Sequence, residues 1–168
     1  MNNEINCPSV NIGDYCVQLL TTRFKLRCNR ADNNIINGVE NAVEVLQAIF
    51  TQLDANQEHL VILMLDQKLR IKGYKVVASG TMTSAPVDSR VIFQHAMALN
   101  AESIIMSHNH LADTVEPSLN DINITTKIFN AGVIMDIKLI DHIIINAVEH
   151  HSIKQSHSYV FNESFLLW

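Results

Sequence analysis

Two histidines one residue apart, His108 and His110, are followed after seven residues by Ser118 and then Asp121. This is the stretch of the sequence best suited to hold a metal ion. A spacing of two puts side chains on the same side of a strand, and on nearly opposite sides of a helix. The preceding run, Ala101 to Met106, is short and apolar and reads as a strand ending at Ser107-His108-Asn109-His110. Both imidazoles can therefore reach one ion. Asp121 lies about one helical turn after Ser118, where Pro117-Ser118 opens a helix. Two imidazoles and a carboxylate suit a catalytic zinc, which keeps a fourth position for water and lowers that water's pKa to about 7. Glu58, at the mouth of a buried strand, is the candidate general base. Ser118 is the candidate donor to an oxyanion. Each residue also has a plainer reading. Ser118-x-x-Asp121 after a proline is a good helix-capping box. Glu58 could be a solvated charge, and His-x-His alone is a weak signal. The ordered set of all of them favours the metal.

The remaining histidines divide between two readings. Asp141-His142 sits in an apolar strand, either as a carboxylate–imidazole pair behind a metal ligand or as a satisfied core pair. His59 points away from Glu58 by strand alternation, and His95 reads as a helix-surface residue. His150, His151 and His157 could form a second metal site but read better as exposed.

Several elements must position this set. Tyr15 to Leu26 suggests a strand. From Val39, apolar residues at helical spacing (Ala42, Val43, Leu46, Ile49, Phe50) predict a helix, with Asn37 as its cap and Asn56 near its end. Leu60 to Leu65 is a compact apolar run, the pattern of a buried strand, and Ile71 to Ser79 reads as its hairpin partner. Asp88 or Ser89 caps a second helix. The helix opened by Pro117-Ser118 is predicted to close at Gly132, and Val133 to Ile145 to supply one or two more strands. Helices and strands alternate, which predicts a layered α/β domain. The apolar tail, Tyr159 to Trp168, is expected either to dock or to make a homo-oligomer contact.

A chain of 168 residues with 48% hydrophobic and 17% charged residues is long and apolar enough to bury a core. A net charge of −5 leaves no general electrostatic footprint for nucleic acid. Three widely spaced cysteines argue against a disulfide framework. The N-terminus has no signal-peptide pattern and no stretch suits a membrane span, so a cytoplasmic protein is expected.

The pattern His108-x-His110, seven residues, Ser118-x-x-Asp121 resembles the JAMM motif of JAB/MPN-domain metalloproteases, most closely the RadC-like branch. Thr125, Gly80-Thr81, Arg90 and Leu139-Ile140-Asp141-His142-Ile143-Ile144-Ile145 also match that branch. The resemblance implies a three-layer α/β/α domain with a mixed central sheet, similar to cytidine deaminases. It divides the chain into a leader and first strand (1–34), the metal-binding domain (35–155) and the apolar tail (156–168). It implies one zinc ion on His108, His110 and Asp121, with Glu58 as base and Ser118 steadying the tetrahedral intermediate. The reaction implied is hydrolysis of a peptide or isopeptide bond in a protein or peptide substrate. The branch's name points instead to DNA repair, which the charge does not support, and some JAB/MPN domains are non-catalytic scaffolds. Leu111-Ala112-Asp113 stands where the branch has Pro-Ser-Gly, and residues 1–34 offer no counterpart to its helix-hairpin-helix segment.

Overall fold

The computed structural model describes residues 35–80 and 87–162. Helix α1 (Val39–Phe50) leads into strands β1 (Glu58–Leu65) and β2 (Ile71–Gly80). Helix α2 (Ser89–Ala98), strand β3 (Ser103–Asn109) and helix α3 (Leu119–Ile134) follow. Strands β4 (Lys138–Ile145) and β5 (His150–Ser152), the one-turn helix α4 (Ile153–Ser156) and a 3-10 turn (Ser158–Phe161) complete the order. The five strands form one mixed sheet in the order β2-β1-β3-β4-β5, as the resemblance implied. Only β3 and β4 are parallel. A parallel pair needs a crossover, and α3 provides it.

Seven of the eight β1 residues are buried, so the strand is covered on both faces. Val61, Leu63 and Leu65 pack with Ile105, Ile143 and α1 on one face. Leu60, Ile62 and Met64 pack with Ile104, Met106, α2 and α3 on the other. Strand alternation alone sends the two sets to opposite cores. It also sends His108, two residues beyond Met106, toward the α2–α3 face.

Some boundaries differ from the sequence reading. The cap of α1 is Gly38, at φ 129°, not Asn37. The Asn37 N–H donates instead to the Asn41 side chain. The helix ends at Phe50, and Asn56 is held beyond it by the Asp54 carboxylate. Gly132 does not close α3. The helix continues to Ile134, and Asp136 takes the left-handed turn at φ 53°. The Ile137 N–H donates to the Gly132 carbonyl and the Asp136 N–H to that of Val133, the bonding of a Schellman stop. Gly132 is required for a different reason: a Cβ there would lie 2.4 Å from the Ile137 carbonyl oxygen.

The expected strand at Tyr15 to Leu26 lies outside the described residues, as does the tail from residue 163. Of the earlier tail, Val160 is buried and the Phe161 ring meets Phe129 at 5.6 Å between centroids. No helix among the described residues is long and apolar enough to cross a membrane.

Gly132→Ala tests the packing that anchors α3. The alanine gains helix propensity, but forcing apart backbone atoms at a tight approach costs about 1–3 kcal/mol. A lower urea midpoint is expected, and an unchanged or higher one would show that this approach is not required.

Candidate metal centre

The carboxyl end of β3 meets the start of α3, because the crossover to β4 begins there. His108, His110 and Asp121 gather at this junction, with one ligand atom of each within 4.8 Å of the others. The His108 Nε2 and His110 Nε2 atoms are 2.9 Å apart. Asp121 Oδ1 lies 3.3 Å from His108 Nε2, and Oδ2 lies 3.9 Å from His110 Nε2. His108 and Asp121 are buried, and His110 is partly exposed.

The capping box forms together with the cluster. The Ser118 N–H and Oγ donate to Asp121 Oδ2 at 2.8 and 2.5 Å, and the Asp121 N–H donates to Ser118 Oγ at 3.2 Å. The cap therefore holds Oδ2 and leaves Oδ1 facing the imidazoles. The Ser118 hydroxyl proton is committed to Asp121, so Ser118 orients the carboxylate in this arrangement. The Thr114 carbonyl, which can only accept, lies 2.9 Å from His110 Nδ1. That bond places the proton of a neutral His110 on Nδ1 and a lone pair on Nε2. Two imidazole nitrogens and a carboxylate oxygen, with no cationic side chain among them, are a donor set that fits zinc or a similar divalent ion.

Glu58 opens β1. Leu60 pairs with His108 across the antiparallel β1–β3 ladder. Two residues upstream in the same strand, Glu58 lies by strand alternation on the sheet face of Leu60. Asn109, for which the sequence reading assigned no task, secures this placement. Its Oδ1 accepts from the His59 N–H at 2.6 Å and its Nδ2 donates to the Gln57 carbonyl at 2.9 Å. One side chain thus pins the backbone on both sides of Glu58. The available signal was an amide in a strand end, between two histidines, with one donor and one acceptor to offer a neighbouring strand. His59 is turned to the other face, bonded to Ser79 Oγ and the Asp54 carbonyl.

Asp141 and His142 do not form a carboxylate–imidazole pair. Consecutive strand residues face opposite sides, so Asp141 instead accepts from Ser152 Oγ, the Lys154 N–H and the His142 main-chain N–H. The His142 ring lies behind His108: its Nε2 is 2.8 Å from His108 Nδ1, and its Nδ1 is 2.6 Å from Thr125 Oγ1. Among the other histidines, His151 and His157 both contact the Ser156 hydroxyl. His150 lies 3.5 Å from Glu40, and His95 is partly buried.

Burial pushes His108 down to about 4, opposed by the Asp121 carboxylate and assisted by His110. Burial also holds His142 well below the usual imidazole range, with His108 and His110 adding to the effect. Both rings are therefore neutral near pH 7, the form a metal requires. On unfolding they regain ordinary imidazole values, so between about 6.5 and about 4 the unfolded chain binds more protons than the folded one. Stability from this source is complete above that window and is lost as pH falls through it. Metal-free protein should show a urea midpoint that falls continuously from about pH 7 to pH 4. A flat or rising midpoint would show that the rings are not held neutral.

Residues 36–158 match the family model described as RadC-like JAB domain. A UPF0758 protein of Trichodesmium erythraeum is 42% identical over 99 residues, which is 59% of this chain and 41% of that protein. One from Chlorobaculum parvum is 35% identical over 121 residues, 72% of this chain and 54% of its own length. One from Staphylococcus aureus is 40% identical over 116 residues, 69% and 51% respectively. The chain spans about half the length of the curated relatives it matches. The family match covers most of the chain and includes the mixed sheet, its α3 crossover and the His-His-Asp cluster: the chain belongs to the RadC-like JAB domain family.

Proposed function

We propose that this domain is a zinc-dependent hydrolase of amide bonds, a peptidase or isopeptidase of the JAMM type acting on a protein or peptide substrate. The observation that carries this reading is the convergence of His108, His110 and Asp121 at a strand end, with Glu58 on the same sheet face. A divalent ion on these ligands would polarise a water and the substrate carbonyl. Glu58 would take the proton from that water as its oxygen attacks the carbonyl carbon, then pass it to the departing nitrogen as the C–N bond breaks. Asn109 holds the backbone that carries Glu58. Ser118 keeps Asp121 oriented, and would donate to the developing oxyanion only by releasing that carboxylate.

The surroundings favour a peptide over a nucleic acid. A cavity of about 710 Å³ opens beside His110, between α1, residues 109–113 and the β4–β5 turn. Among the described residues, its walls include Asp113 and Glu149 and no lysine or arginine. A polyphosphate backbone would meet like charge from these two carboxylates. The exposed Leu111 and Val148 give the same cavity an apolar rim that suits peptide side chains. Leu111-Ala112-Asp113, where the sequence departs from the branch pattern, forms part of this wall, so substrate choice is assigned to it.

Zinc content and cleavage of a fluorogenic peptide library test the reading. Glu58→Gln should keep its metal and lose cleavage by about 10²–10⁴-fold. His108→Ala should lose both. Asn109→Leu should keep metal and lose roughly 10-fold or more in turnover, since a misplaced base is costly. Wild-type protein that takes up no divalent metal, or Glu58→Gln that cleaves as well as wild type, would refute the hydrolase.

A further inference from the structure

We propose that Thr125 and His142 are positioning residues that decide which nitrogen His108 offers to a cation, and that they join the β3 ligand to the α3 ligand through the core. This inference rests on the metal-centre reading above but not on any particular reaction.

Four groups form a continuous chain. Thr125 Oγ1 is 2.5 Å from the Asp121 carbonyl oxygen and 2.6 Å from His142 Nδ1. His142 Nε2 is 2.8 Å from His108 Nδ1. The direction of the protons follows from the end of the chain. A main-chain carbonyl can only accept, and a hydroxyl has one proton. Thr125 therefore donates to the Asp121 carbonyl, and its oxygen accepts from the His142 Nδ1–H. A neutral His142 protonated on Nδ1 carries its lone pair on Nε2, so the His108 Nδ1–H donates to it. His108 Nε2 is then left with a lone pair, aimed at His110 Nε2 and Asp121 Oδ1. The reverse direction would leave two oxygens 2.5 Å apart with no hydrogen between them. It would also put a proton on the nitrogen that faces the other ligands.

Water cannot substitute for these partners, because Thr125, His142, His108 and Asp121 are all at most 4% exposed. The chain begins on the backbone of one ligand, Asp121, and ends on the ring of another, His108. Loss of either intermediate would free His108 to change tautomer and would leave a buried polar atom unpaired. The partner behind His108 is a neutral imidazole, so it orients the ligand without adding negative charge to it.

The test uses histidine tautomer and cobalt(II) binding, with no substrate. Nitrogen-15 spectra of the metal-free wild type should show His108 protonated on Nδ1. His142→Phe keeps a ring but has no acceptor, and should weaken cobalt binding about 10–100-fold and alter its visible spectrum. His142→Gln supplies both an acceptor and a donor and should restore most of the affinity. Thr125→Val should weaken binding in the same direction, whereas Thr125→Ser should not. If His142→Phe fails to fold, the wild-type tautomer and the Thr125 pair still decide. His108 protonated on Nε2 in the wild type would overturn the proposal, as would a folded His142→Phe or Thr125→Val with wild-type affinity and spectrum. A chain that binds cobalt as described but cleaves nothing would refute only the hydrolase. One that takes up no cobalt would refute both.

Discussion

Asp121 has two carboxylate oxygens, and the fold sets them to different tasks. Oδ2 accepts two hydrogen bonds from Ser118 and closes the first turn of α3. Oδ1 is left facing His108. The helix cap and the candidate metal ligand, which look like competing readings of Ser118-x-x-Asp121, are therefore compatible in one carboxylate. The cap fixes the orientation of the carboxylate, the rigidity a metal ligand would need. Everything else at the site follows from bringing this turn to the carboxyl end of β3, which the parallel β3–β4 crossover does.

The neighbouring polar groups are buried but accounted for. His142 lies in the core with both ring nitrogens engaged and His108 with its Nδ1 engaged, and burial keeps both rings neutral. Neutrality matters because a protonated imidazole cannot bind a cation. Burial thus costs desolvation and gives ligand competence in the same step. Asn109 does comparable work for Glu58, extending the β1–β3 ladder by one side-chain amide where the main chain no longer pairs. His108, His110, Asp121 and Glu58 all stand at or next to the ends of regular elements, so their separations are set by sheet register more than by loop conformation. The loop from Leu111 to Glu116 is tied at two points, through Thr114 to His110 and through Asp113 to the Asn146 side chain.

The sequence already contained most of the architecture. The run Leu60 to Leu65 announced a strand buried on both faces, and His-x-His at the end of a second strand announced two side chains on one side. Pro117-Ser118 announced where α3 begins. These features were legible because they depend on local period and capping chemistry. Where local signals misled, a longer-range contact had overridden them. Gly132 looks like a helix stop, but its small size serves the approach of the Ile137 carbonyl, and Asp136 makes the turn. Asp141 beside His142 looks like a pair, but strand alternation separates them, and Asp141 instead ties β4 to Ser152 of β5 and to the start of α4.

By itself, the sequence showed the candidate metal-binding residues, their order and the elements that carry them, because residue chemistry and hydrophobic period are local properties. Only the tertiary structure decided that Asp121 reaches His108 and that Asn109 steadies Glu58. It alone also decided that the partner behind His108 is the His142 ring, itself held by Thr125. These contacts join residues up to 52 positions apart in the chain. No local pattern encodes them, since each is fixed by sheet order, by register and by the path of the crossover helix.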